Sequence, residues 1–419
     1  MFFIYQILTF IVLLLSPIII VIRIIKNKES KSRFIEKFTL FTKKRKSGRL
    51  IWFHVASVGE LMSILALVKN LERDKKIKTI LITSSTLSSS IIFKKLKLKK
   101  TIHQFFPLDL QLFSLRFINY WKPSICIFID SEIWPNMFKN IKSKSIPLVL
   151  MNGRITKKSF KKWNIVNSFA KNIFGKIDIA YPQNKETLSY LKKFKVKKIK
   201  DIGNLKFSQQ DTQTKNYFPK SYSSQFKNRI IFTAVSTHPG EEIIISKMHK
   251  ILKRNFSNLL TIIIPRHIER VNEIEQQINE LNLSVIIKST NTKINNKTDI
   301  LLVDSYGEIK KYFPMTKLTF VGGSLIKHGG QNPIEPANFN LNILHGPNVQ
   351  NFKEIYKFFK SKKITSKVSN LNDLVKKSMF YLNQKNKVKV NLNKIGKVTL
   401  QKALGEINKI INHNEIKKT

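Results

Sequence analysis

From residue 50 onward the chain alternates short apolar runs with longer stretches whose apolar positions recur at helical spacing. The runs at 50–55, 79–83, 124–129, 147–151, 177–181 and 199–202 predict strands, and the segments between them, such as 61–71 and 185–194, predict helices. Near-continuous apolar strands separated by helices are the pattern of a parallel sheet covered on both faces. The polar stretch 209–228, with Pro219 and several Ser and Asn, interrupts that rhythm. It resumes at 230–234, 259–264, 284–287, 300–303, 318–321 and 342–344. The expectation is an α/β fold of two doubly wound, Rossmann-like domains at 34–208 and 229–419 joined by a linker at 209–228. Ligands would bind at the carboxyl ends of the strands, in a cleft between the two sets of loops.

The first 22 residues carry no charge, which is long enough to cross a bilayer as a helix. Arg23, Lys26, Lys28, Lys31 and Arg33 follow at once, so a single-pass anchor at 1–25 would leave the main body in the cytoplasm. A cleaved signal peptide is disfavoured, because the positive n-region and a small-residue cleavage site are both missing. Pro17 leaves open a helix that lies in the interface instead of spanning.

A length of 419 residues suits two domains, and 42% hydrophobic content suits globular ones. Cys126 is the single cysteine, which excludes an intramolecular disulfide. Seventy-five Lys and Arg against 26 Asp and Glu give a formal charge of +49, a surface that attracts phosphate in some form. Richness in Lys, Asn, Ile and Phe is also what an A/T-biased coding sequence yields, so the sign of the charge carries more than its size. Basic residues spread along the chain behind an apolar anchor fit an anionic lipid surface better than a nucleic-acid face.

Several polar groups fall just after strands. Glu60 sits in the first turn of a predicted helix, where the helix dipole favours an ionised carboxylate that could act as a base; a plain first-turn acid is the alternative. Asp130 and Glu132 follow another strand, and either could instead cap the helix that Pro135 helps to start. Lys206 ends the last strand of the first half. In the second half, 237–242 and 265–267 offer a helix N-terminus and Arg266 for an anion. The segment 321–337, VGGSLIKHGGQNPIEPA, combines glycines that allow close backbone approach with Pro333 at an expected helix start, and Glu335 could accept hydrogen bonds from a ribose. There is no Walker A loop, no HExxH, no zinc-spaced Cys/His cluster and no Asp-x-Asp pair to hold a metal against a diphosphate.

Taken together, the stretches IWFHVASVGE, SEIWPN, MNGRIT, GNLKF, STHPGEE, IIIPRHIER, DSYGEIKKYFP, FVGGSLIKHGGQNPIEPA and LHGPNVQNF resemble the 3-deoxy-manno-octulosonic acid (Kdo) transferase family of lipopolysaccharide synthesis. The resemblance runs in order from the N-terminal anchor to about residue 352. It implies a GT-B architecture, with the acceptor site in the first domain and the donor site in the second. It further implies CMP-Kdo as donor, the lipid A precursor lipid IVA as acceptor, no metal or other cofactor, and a place at the inner membrane. By motif, Glu60 corresponds to the general base, while Lys206 and one acid of Asp130 and Glu132 correspond to transition-state support. Pro265, Arg266, Tyr306, Gly307, Glu308, Asn332, Pro333, Ile334 and Glu335 correspond to positions that contact CMP. The family usually has Glu-Thr-Glu at 130–132 and His at 331, where this chain has Asp130-Ser131-Glu132 and Gln331, so the acid is either Asp130 or Glu132. The alternative reading is another GT-B enzyme at the membrane surface, a UDP-sugar transferase or a sugar-nucleotide epimerase.

Overall fold

The computed structural model describes residues 1–208, 218–290, 293–384 and 391–416. It divides into two units, Met1–Gln210 with Asn393–Thr419, and Asp211–Leu392. The last helix, Leu392–Ile416, therefore groups with the first unit, whereas the sequence reading left 393–419 in the second domain. The cause is an apolar stripe: Leu400, Ala403, Ile407 and Ile411 bury against Ile51, Phe53 and Tyr181 of the first sheet. Tyr181 and Lys200 then both bind Glu406 of that helix, at 2.9 and 2.7 Å.

In the first unit six parallel strands run in the order β3-β2-β1-β4-β5-β6: β1 (Leu50–Val55), β2 (Thr79–Ser84), β3 (Thr101–Phe105), β4 (Ile125–Ile129), β5 (Leu148–Gly153) and β6 (Ile179–Pro182). Alternate residues feed two cores. Ile51, Phe53 and Val55 face one, while Leu50 and Trp52 face the other with Phe117, Trp121 and Phe138. The chain order reverses between β1 and β4, the switch point where such sheets bind ligands.

Two expectations change here. The run 199–202 forms no strand and contributes one bridge, Ile199 to Ala180. Conversely, β3 was not predicted, because Thr101-Ile102-His103-Gln104-Phe105 follows a run of lysines and carries three polar side chains. It holds as an edge strand because side chains from the turn at 33–38 cover its backbone. The Glu36 carboxylate accepts from Phe105 N–H at 2.7 Å, and Arg33 donates to the His103 carbonyl at 2.9 Å.

The second unit has seven parallel strands in the order β13-β12-β11-β7-β8-β10-β9. They are β7 (Ile230–Thr237), β8 (Leu259–Pro265), β9 (Val285–Ile287), β10 (Ile300–Leu302), β11 (Leu318–Val321), β12 (Asn342–His345) and β13 (Thr365–Lys367). Its switch point lies between β7 and β11, and β13 was not expected from sequence. Of the expected linker, 209–217 lies outside the described residues. The remainder belongs to the second unit, since Phe218 and Phe226 pack on Tyr312 with ring centroids 4.8 and 6.3 Å apart.

The N-terminal helix α1 (Phe2–Ile25) is long and apolar enough to cross a membrane, and only Ser16 and Ile20 in it are buried. It touches the first unit at both ends. Tyr5 Oη donates to Asp109 at 2.7 Å, and Arg23 meets Glu29 at 3.1 Å.

Candidate functional site

The loop leaving β1 enters the helix α2 (Val58–Leu71), whose N-cap is Ser57. Ser57 Oγ accepts the Glu60 N–H at 3.3 Å, and its hydroxyl donates to Glu60 Oε1 at 3.0 Å; Glu60 Oε2 accepts the Ala56 N–H at 2.7 Å. Glu60 is thus the acid of a capping arrangement, the role a plain first-turn acid would have. Its acid strength shows that capping is not the whole account. Burial pushes the Glu60 carboxyl up to about 7 against the hydrogen bond from Ala56, and the charges of Asp130 and Glu132 push the same way. A carboxylate tuned to neutrality is what a general base needs.

Asp130 and Glu132 follow β4, across the switch point from β1. Asp130 takes the left-handed conformation with φ 60°, which turns its carboxylate toward Lys206 Nζ at 3.8 Å. Burial raises the Asp130 pKa, offset in part by Lys206 and Arg154, and burial lowers that of Lys206. Lys206 is placed by the short turn Leu205–Ser208, held by Asn204 and by Asn152, whose Oδ1 accepts the Leu205 N–H at 3.0 Å.

Glu132 is oriented differently. Its Oε2 lies 3.2 Å from His54 Nε2 and accepts from Trp134 Nε1 at 3.0 Å. His54 Nδ1 lies 2.9 Å from Thr83 Oγ1, which accepts from Trp52 Nε1 at 2.9 Å. Burial lowers the His54 pKa despite Glu132, which favours the neutral ring. The arrangement that satisfies every donor runs Trp52 to Thr83 to His54 to Glu132. Glu60, Asp130, Glu132 and Lys206 therefore form one group at one switch point. His54 and Arg154 join it without having been singled out from sequence, although both stand inside matching stretches.

In the second unit the expected nucleotide-contacting residues fall after the carboxyl ends of β8, β10 and β11. Pro265 ends β8, and Arg266 is exposed beyond it, with its N–H bonded to the Thr237 carbonyl at 2.9 Å. Tyr306 is 61% exposed, a ring free to be covered, and its hydroxyl reaches Glu269 at 3.4 Å in the loop after β8. Gly307 has φ 83°, and Glu308 is clamped by Lys288, Ser305 and Lys311. Burial alone would raise Glu308; those hydrogen bonds bring it down to about 2. Asn332 Oδ1 accepts the Ile334 N–H at 3.1 Å, and Glu335 lies in the first turn of the helix Ile334–Asn338. Pro333 is the N-cap of that helix instead of its first residue.

The geometry of these loops rests on a residue that sequence reasoning passed over. The fully buried Glu241 carboxylate accepts four backbone N–H groups, from His238, Gly323, Ser324 and Leu325, at 3.0, 2.7, 3.0 and 2.9 Å. It ties the loop after β7 to the loop after β11. Gly322 allows the approach, since a Cβ there would lie 2.4 Å from the Ser236 carbonyl oxygen. Beside this junction Gln331 lies 3.1 Å from His238, whose pKa is lowered to about 4 by burial and then by His328, His267, Arg266 and Arg270. These loops gather positive charge, which suits an anionic ligand.

The sequence profile described as 3-deoxy-D-manno-octulosonic-acid transferase (kdotransferase) matches residues 32–209. The 3-deoxy-D-manno-octulosonic acid transferase of Rickettsia bellii is 32% identical over 382 residues, 91% of each chain. Among solved structures, the UDP-GlcNAc 2-epimerase of Neisseria meningitidis bound to UDP-GlcNAc superposes with a TM-score of 0.57 at 11% identity, over 88% of this chain and 100% of that one. A glycosyltransferase of Rickettsia africae does so at 0.54 and 13%, over 87% and 99%. The structural likenesses fix the GT-B fold, and likeness at one-third identity along nine-tenths of the length fixes more: the chain belongs to the Kdo transferase family of glycosyltransferases.

Proposed function

We propose that the protein transfers Kdo from CMP-Kdo to the lipid A precursor lipid IVA, with inversion and without a metal, at the cytoplasmic face of the inner membrane, where α1 anchors it. The observation that carries the mechanism is the Glu60 carboxyl, raised to about 7 beside Asp130, Glu132 and Lys206. The acceptor hydroxyl attacks the anomeric carbon of Kdo and gives its proton to Glu60. The bond from that carbon to the CMP phosphate oxygen breaks, and its electron pair leaves with CMP. Positive charge develops on the sugar, and the neighbouring carboxylates stabilise it. In the second unit Arg266 and the positive loops around His238 suit the phosphate of CMP, and side chains of this kind would take the role of a divalent ion. Tyr306–Glu308 and Asn332–Glu335 complete the nucleotide site.

A UDP-sugar enzyme on the same fold is the second reading, favoured only by the structural likeness to the epimerase. One experiment separates the two: turnover of CMP-Kdo and a UDP-sugar, in EDTA, by the parent and by Glu60→Ala. Kdo transfer by the parent and its loss in the variant, with CMP binding retained, is the expected result. No transfer from CMP-Kdo by folded protein with an intact lipid acceptor would overturn the assignment.

A further inference from the structure

Between α1 and the loop that follows β3 runs an apolar groove of about 420 Å³, within the range of small-molecule sites. Leu8 and Val12 of α1 form one wall, and Phe106, Leu108 and Trp134 form the other. The groove is built and does not arise from loose packing. The Asp109 carboxylate accepts from Tyr5 on α1 and from the Asn136 and Met137 N–H groups, at 2.7, 3.0 and 2.8 Å, and so fixes α1 to the domain at one end of it.

We infer that this groove binds an acyl chain of the lipid acceptor and thereby delivers the acceptor hydroxyl to Glu60. The inference rests on the proposed lipid-acceptor reading. Two continuities commit it to that occupant. On one side the groove opens on the exposed apolar face of α1, where Leu8 and Val12 are 55% and 47% exposed, so a chain can enter from the bilayer. On the other side its wall is also the wall of the carboxylate group. Trp134 donates to Glu132, and Phe106 packs on Trp134 and stacks on His54, with centroids 5.0 and 3.9 Å apart. A lipid held by its chain here has its head group beside Glu132 and Glu60. The smaller hollow of about 230 Å³ that continues along α1 ends among Arg23, Glu29 and Lys37. Lys37 and Arg23 both pair with Glu29 there, so the apolar path closes on an ion cluster that caps the chain length.

The test uses full-length protein in nanodiscs of unbrominated phospholipid and reads tryptophan emission on adding lipid IVA brominated along its acyl chains. Trp134 is the tryptophan that lines the groove, and the Trp134→Phe variant identifies its share of the signal. Expected is quenching of the Trp134 share by the brominated acceptor, and loss of that quenching in Thr9→Phe, which fills the groove from α1. The same filling should raise the KM for the acylated acceptor about tenfold while leaving CMP-Kdo binding unchanged. Equal quenching by brominated bulk phospholipid would overturn the acceptor as occupant and leave a plain membrane contact. Trp134 emission that follows protein concentration and ignores lipid would assign the groove to a second copy of the chain. Turnover without any quenching would overturn the groove and spare the transferase reading, whereas absence of turnover would sink that reading itself.

Discussion

Two sets of carboxylates, one at the loops of each unit, are treated in opposite ways. In the second, Glu241 receives four backbone N–H groups, and Glu308 is gripped by two lysines that hold it at about 2. Asp299, hydrogen-bonded to His249 and Lys253, lies well below the usual carboxylate range although burial opposes the shift. In the first unit, burial dominates at the switch point. Glu60 is raised to about 7 and Asp130 is raised as well, with Lys206 as the cation that partly offsets it. Satisfied carboxylates hold loops in place. Undersatisfied ones clustered at a switch point store the free energy that acid–base chemistry draws on.

The largest way to break this contrast is to exchange the two kinds of loss. Glu60→Gln keeps a side-chain acceptor for the cap and removes the base, so kcat should fall about 10²- to 10⁴-fold with no loss of thermal stability at pH 8. Glu241→Ala removes the acceptor of four buried N–H groups. At ~1–3 kcal/mol each, this should cost more than about 4 kcal/mol, most of a domain's stability. All four tryptophans, Trp52, Trp121, Trp134 and Trp163, lie in the first unit, so their emission reports that unit while far-ultraviolet dichroism reports both. In Glu241→Ala the dichroism transition should move to lower denaturant and the emission transition should stay. If both stay, Glu241 is not what holds the loops.

A smaller effect sharpens the contrast within the first unit. Asp130→Asn removes the negative charge that weighs most on Glu60, and Asn accepts the left-handed backbone that Asp130 adopts. The acidic limb of the kcat/KM profile should then move to lower pH by roughly half a unit to one unit. Lys206→Met removes a cation and should move it the other way. Limbs that do not move in opposite directions would show that the profile is set by some group other than Glu60.

How much of this could be read from the chain follows from what each feature depends on. The strands β1, β4, β7 and β8 declare themselves because parallel strands buried on both faces leave unbroken apolar runs. β3 was hidden because its edge is covered by Arg33 and Glu36, partners nearly seventy residues away. The helix Leu392–Ile416 was assigned to the wrong unit because an apolar stripe says that it packs and not on what. Glu60, Asp130, Glu132 and Lys206 were found because each follows a strand or sits in a matching stretch. What the chain could not give was how fully each carboxylate is satisfied. In sequence, Glu241 looks as suited to chemistry as Glu60, being an acid in the first turn of a helix after a strand. The difference is the count of donors around each carboxylate, which belongs to tertiary structure alone.

That difference has a signature in stability against pH, the smallest of the expected effects. Glu60 has its folded pKa raised to about 7 from an ordinary value of 4.5. A raised acid favours the folded state fully below the unfolded value, and that contribution is lost as pH rises through about 7. Glu308 has the opposite sign: lowered to about 2, it contributes above the unfolded value and is lost as pH falls toward 2. Between pH 5 and 8 the tryptophan-reported stability of the parent relative to Glu60→Gln should therefore fall by about 1–3 kcal/mol, a difference in which the opposite slopes of His54 and His103, lowered by burial, cancel. Asp109, raised by burial to about 6, is common to parent and variant and cancels in the same difference. In the second unit the lowered pKa values of His238, His249 and His345 act with the opposite sign, so its transition should weaken as pH falls through about 6.5, with Glu308 adding to the loss at lower pH. A parent that keeps or gains stability relative to Glu60→Gln from pH 5 to 8 would mean that Glu60 is as well satisfied as Glu241, and the distinction drawn between the two carboxylates would fall.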